Sequence, residues 1–191
     1  SIRDLTRRDI VDRRIYRIFE EISDEITKEV LKAAAIFRGI FSGDALRVGG
    51  GSFRKETPAY REENDFINIS PDIISHRIFE MSLCDPQYFS SLEYYIDKVS
   101  KSKHLDDYLI GITLNFFDSF RYPDENLESC LSKRLEEFLE WLNKSAISDH
   151  LYVKVVDILS YSVPLELENI SSKRFVNFPQ VYVRVVNKIL E

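Results

Sequence analysis

Between residues 9 and 42 apolar side chains return at three- and four-residue steps: Val11, Ile15, Ile18, Ile22, Ile26, Val30, Ala33, Phe37 and Phe41. That rhythm matches the 3.6-residue turn of an α-helix and gathers these side chains on one face. It predicts one long amphipathic helix, or two if the chain bends near Ser23. The same signal continues downstream. Ser70-Pro71 and Asp85-Pro86 each set a capping residue before a proline, the order favoured at a helix start, and predict helices at 71–83 and 86–100. From 104 to 120, Leu105, Leu109, Ile112 and Phe116 line one side and Ile110, Leu114 and Phe117 the other, the pattern of a central buried helix. Gly111 inside it weakens the helix by about 1 kcal/mol relative to alanine, which close approach of a neighbouring backbone would explain.

Pro123 and Asp124 open a further helix to about 144, with Leu127, Leu131, Leu135, Phe138 and Leu142 as its buried stripe and Trp141, the single tryptophan, off that line. The last third contains an echo. Tyr152-Val153-Lys154-Val155-Val156-Asp157 returns as Tyr182-Val183-Arg184-Val185-Val186-Asn187, each copy followed by Ile or Lys-Ile and then Leu. Ser148 and Pro179 stand in start positions, so both copies read as helices, with a faint suggestion of stacked helical hairpins. Residues 53–69 read as polar and irregular. The expected fold is all-α, a multi-helix bundle or a short α-superhelix of about seven or eight helices.

The chain has 191 residues, 44% hydrophobic and 30% charged, a composition that supports an ordinary core without staples. No apolar run approaches the roughly 18 residues of a membrane span, and the first residues are charged, so an intracellular protein, cytoplasmic or nuclear, with no membrane partner is expected. Cys84 and Cys130 sit in helical apolar patterns and are read as reduced, buried thiols. His76, His104 and His150 lie far apart and match no metal-ligand spacing. No cofactor motif is found. The net charge is -6, but residues 1–48 carry 10 Lys+Arg against 9 Asp+Glu, leaving 16 against 23 for the rest. A body with that acidic excess offers few phosphate-neutralising cations, and nucleic acid is not expected as a partner.

Of six glycines, three stand together in Gly49-Gly50-Gly51-Ser52, the composition of a flexible linker. This suggests dividing the chain into an amphipathic helical segment, 1–48, a run at 49–52 expected to be an engineered Gly-Ser join, with a natural loop or a functional glycine turn as the competing readings, and a helical interaction domain, 53–191. The first segment is either a fused partner or part of the same domain. Its anchors would be Ile15, Ile18, Phe19 and Ile22, rimmed by Arg13, Arg14 and Arg17, in the manner of a helix laid in a groove. Trp141 is a further candidate for contact with a partner. Together these features suggest a non-catalytic scaffold or adaptor that binds an amphipathic helical segment of another protein.

One stretch points elsewhere. Gly51-Ser52 followed by Glu63 and Asp65 resembles the signature of polymerase-β-like nucleotidyltransferases, over about 20 residues. In that family a Gly-Ser turn precedes two acids one residue apart on a strand. The resemblance implies a metal-dependent nucleotidyltransferase in which Glu63 and Asp65 hold the ions that bridge nucleotide phosphates. The sequence departs from the pattern in lacking a third carboxylate strand and in placing Asn64 where an apolar residue is wanted.

Overall fold

The first apolar stripe is cut in two at Ser23. In the computed structural model, which describes residues 7–53, 60–121, 127–162, 167 and 170–190, α1 spans Arg7–Glu21 and α2 spans Glu25–Ile36. Asp24 between them caps α2, its carboxylate accepting from the backbone N–H of Ile26 and of Thr27, each at 3.1 Å. The bend expected near Ser23 is therefore a helix start with its own capping side chain.

Periodicity ran on to Phe41, but α2 stops at Ile36 in a Schellman-type turn: the N–H of Gly39 bonds Ala34 O at 2.7 Å and that of Arg38 bonds Ala35 O at 3.3 Å. Arg38 takes the left-handed conformation, φ 58°, where glycine is usual. Its side chain offsets that strain of about 1–2 kcal/mol. The guanidinium donates to Asn115 Oδ1 at 2.9 Å and Leu114 O at 3.3 Å and pairs with Asp118. Asn115 in turn donates to the carbonyls of Ala35 and Ile36, both at 2.9 Å.

The residues after this turn leave the helix. Ile40–Phe41 form β1, Ser42–Gly49 form α3, and Tyr60–Glu63 and Phe66–Ile69 form β2 and β3, in an antiparallel sheet of order β1-β3-β2. The expectation of an irregular 53–69 is corrected here for 60–69; residues 54–59 lie outside those described. Glu63 pairs with Phe66, so Asn64 and Asp65 alone make the hairpin turn, with φ 51° and 62°. Two positive φ angles are what a two-residue hairpin needs to match strand twist, and Asn and Asp adopt them most readily after glycine. The alternation was hidden because β3 shows only two inward side chains, Ile67 and Ile69.

The remaining helices are α4 (Asp72–Cys84), α5 (Leu92–Val99), α6 (Leu105–Arg121), α7 (Glu128–Lys144), α8 (Asp149–Leu159) and α9 (Pro179–Leu190), with a 3-10 turn at Ser172–Phe175 before the last. The described residues thus form an all-α multi-helix bundle with one small sheet. Pro86 does not open a helix. Asp85 instead caps a turn, accepting from Gln87 N at 2.9 Å, and α5 begins six residues later. The start expected at Pro123 and Asp124 lies outside the described residues.

α6 is central, as its all-round apolar pattern predicts, with Leu109, Ile112 and Phe116 fully buried. A Cβ on Gly111 would come within 2.1 Å of Phe37 O, so the expected close backbone approach is present, at the end of α2. One continuous core joins residues from α1 through α9 and so takes in both sides of the glycine run. Gly49 ends α3 against Ile26, where a Cβ would approach to 2.7 Å, and Gly50 closes the helix in the left-handed conformation by donating to Leu46 O.

Cys84 and Cys130 are joined in a disulfide, with Cα atoms 5.9 Å apart, which corrects their reading as reduced thiols. Local periodicity gave each its apolar setting; only the packing of the end of α4 against the start of α7 brings them together. Closing a 46-residue separation restricts the unfolded chain by about 4 kcal/mol.

Candidate partner-binding groove

Two amphipathic helices bound a groove on the surface of the bundle. α5 turns Leu92, Tyr95, Ile96 and Val99 inward, and α7 does the same with Leu131, Leu135, Phe138, Leu139 and Leu142. Where these two stripes diverge toward the surface they leave a groove of about 630 Å³. Leu92, Ile96 and Phe138 form its floor. Trp141, off the buried stripe of α7, stands half-buried in the wall, packed on the core yet facing the opening.

The rim is charged. Glu93 comes from α5, and Arg134, Glu137, Glu140 and Lys144 from α7. Arg134 Nη1 meets both carboxylate oxygens of Glu137 at 2.8 Å, while Lys144 and Glu140 pair at 3.2 Å in full exposure, an interaction of little energetic weight. Three acids against two bases leave the mouth slightly negative.

α5 itself is held from behind. Tyr95 OH donates to Glu29 Oε2 at 2.8 Å on α2, and Glu29 also pairs with Lys32 at 2.9 Å. Burial, with the Glu29 carboxylate beside it, pushes the Tyr95 hydroxyl far above the ordinary phenol range and keeps it a donor. The loop leading into α5 is fixed at both ends. Tyr16 OH donates to Asp85 at 3.1 Å and Tyr88 packs on Phe19 at 4.7 Å, while Arg134 lies 4.5 Å over the Phe89 ring.

The other sites expected from sequence fall in different places. Ile15, Ile18, Phe19 and Ile22 are at most 6% exposed and lie in the common core, α1 packing on α4 and Tyr88. Arg13, Arg14 and Arg17 are exposed on the opposite side. An ion pair crosses from α1 to α4, where Arg77 grips Asp12 at 2.6 and 3.0 Å. Arg77 also holds Glu80 at 2.8 Å. Burial would raise the Glu80 carboxyl, but the bonds from His76 and Arg77 bring it below the usual range.

Of the residues in the nucleotidyltransferase resemblance, Ser52 follows the cap of α3, Glu63 ends β2, and Asp65 occupies the hairpin turn. All three are exposed. The two carboxylates therefore do not share one face of one strand. Among the described residues no three His, Cys, Asp or Glu side chains converge as a metal site, and no helix is long and apolar enough to cross a membrane. Compared with protein-family models, with curated proteins and with solved structures, the chain shows no match.

Sequence reasoning singled out Trp141 but missed the opposite wall. A helix over 86–100 was expected from its start signal alone, yet the neighbour of α5 in space is α7, about forty residues away by number, and no local signal links the two.

Proposed function

We propose that this chain is a non-catalytic protein-interaction module that receives an amphipathic helical segment of another protein in the α5–α7 groove. The observation that supports this is the position of Trp141: a large aromatic half-buried between two helices, over an apolar floor and inside a charged rim. Hot spots of helix-in-groove complexes have this form, with an aromatic anchor at the centre and polar residues excluding water around it. The acidic excess of the mouth, set in a body of 16 basic and 23 acidic residues, favours a segment with basic flanks.

The stripe of α1 does not serve as the external ligand in this reading, because its anchors are occupied by α4. It has the role of an internal helix docked by the same chemistry. The charges that remain exposed on α1, at Arg13, Arg14 and Arg17, lie on a different surface from the groove and affect encounter rather than fit.

The test uses two fluorescently labelled amphipathic helical peptides with the same leucine face, one with lysine and one with glutamate on its polar face. The lysine peptide should bind saturably and weaken as salt rises, and the glutamate peptide should bind much less. Trp141→Ala, with circular dichroism showing an unchanged fold, should lose at least tenfold in affinity, about 1.4 kcal/mol. Equal binding by wild type and Trp141→Ala would refute the groove.

A further inference from the structure

We propose that the Cys84–Cys130 disulfide is a redox-controlled clasp that sets the geometry of the α5–α7 groove. This builds on the groove reading above and adds its regulation. Cys84 is the last residue of α4, and the chain then runs through residues 85–90 to deliver Ser91, Leu92 and Glu93 to the α5 side of the groove. Cys130 lies in the first turn of α7, and Arg134, one turn on, lines the other wall. The bond is therefore a covalent link between the roots of both walls.

Its surroundings suit reversible opening. Both cysteines are half-buried rather than sealed in the core, and partial exposure is the setting in which thiol–disulfide exchange proceeds. Cys130 Sγ sits 3.6 Å from the carbonyl oxygen of Leu83, an acceptor for the proton that the sulfur gains when reduced. Arg134 Nε donates to that same carbonyl at 3.2 Å and its guanidinium covers Phe89. Arg134 thus adds a noncovalent tie from α7 to Leu83 of α4 and to Phe89 of the loop that enters α5, one that does not depend on the disulfide.

The exchange is balanced with a dithiol as reductant. One thiolate of the dithiol attacks a sulfur of the pair, breaking the Cys84–Cys130 bond and forming a mixed disulfide; its second thiol then displaces the protein sulfur. The protein gains two electrons and two protons as two thiols, and the dithiol leaves as a cyclic disulfide. With the clasp closed the groove is preorganised; with it open, each ligand must also order the walls, which weakens binding.

Trp141 makes the test direct, because it is the single tryptophan and stands in the groove. The folded protein is oxidised in air, reduced with dithiothreitol and reoxidised, with the thiol state followed by mass spectrometry after alkylation and the fold by circular dichroism. Opening the clasp should shift Trp141 emission to the red and raise its quenching by acrylamide about twofold or more, and reoxidation should reverse both. The double variant Cys84→Ser, Cys130→Ser should show the reduced signal with or without dithiothreitol. The lysine peptide should bind the reduced protein several-fold more weakly.

Two results overturn the clasp: no disulfide in the air-oxidised protein, or identical Trp141 signals in protein shown to be disulfide and dithiol. Neither depends on a ligand. A redox-dependent Trp141 signal in a protein that binds the peptide in neither state supports the clasp and removes the binding reading instead.

Discussion

α8 and α9 carry nearly the same sequence and occupy very different places. In α8, Tyr152, Val153, Val155 and Val156 are all buried, whereas in α9 only Val185 is, and Val183 is 57% exposed against 4% for Val153. α8 lies on α6 with the core beneath it; α9 lies at the edge, covering α8 and the 3-10 turn at Ser172–Phe175. The pair shows that a Tyr-Val-x-Val-Val helix has enough apolar surface to be buried on two sides, and that its neighbours determine how much of it is.

Placing a charge at the matched positions should break this comparison most severely. Val153→Asp puts a carboxylate into the core and should destabilise the protein by about 3 kcal/mol or more, while Val183→Asp should stay within about 0.5 kcal/mol. Urea denaturation followed at Trp141 measures both. Equal losses would mean that α9 is as buried as α8.

The tyrosines sharpen the comparison on a smaller scale. Tyr152 OH donates to Asn143 Oδ1 at 2.6 Å and accepts from Ser171 N at 2.9 Å, and Arg174 lies 4.6 Å over its ring. Tyr152→Phe leaves both polar partners without the hydroxyl and should cost about 1–2 kcal/mol, more than Tyr182→Phe. Burial also raises the Tyr152 hydroxyl above the ordinary phenol range. The folded state therefore holds this proton more tightly than the unfolded one. Its contribution is complete below the unfolded value near 10 and falls as pH rises through the folded value. A pH series of melting temperatures should show a shallower decline above pH 10 in Tyr152→Phe than in wild type; parallel curves would contradict the assignment.

The smallest effect concerns the bond between the two copies. Arg184 of α9 reaches Asp157 of α8 at 3.0 and 2.8 Å, two echoed positions paired across the helices. Both groups are partly exposed, so a double-mutant cycle of Arg184→Ala and Asp157→Ala should give a coupling under about 1 kcal/mol that shrinks with salt. A coupling well above that would show that α9 is held by charge more than by its apolar face.

The candidate site was legible to an uneven degree. Trp141 stood out because a tryptophan off the 3.6-residue line of α7 has no place in that helix's buried stripe, and it is in the groove. Ile15, Ile18, Phe19 and Ile22 were legible as one apolar face, but the periodicity that finds a face does not say what covers it, and α4 does. The acids at Glu63 and Asp65 were set on one strand because the short alternating run of the hairpin is too brief to reveal its turn.

What the sequence by itself determined is local. Apolar spacing set the helical class and the burial of Ile112 and Phe116; Asp24 and Ser148 set helix starts, since a capping side chain bonds backbone groups only two or three residues away. Gly111 announced a close approach without naming its partner. Tertiary structure alone chose Phe37 as that partner, α5 as the neighbour of α7, and Cys130 as the mate of Cys84. Those choices join residues tens of positions apart, where chain connectivity constrains little and the outcome rests on how all the helices pack at once.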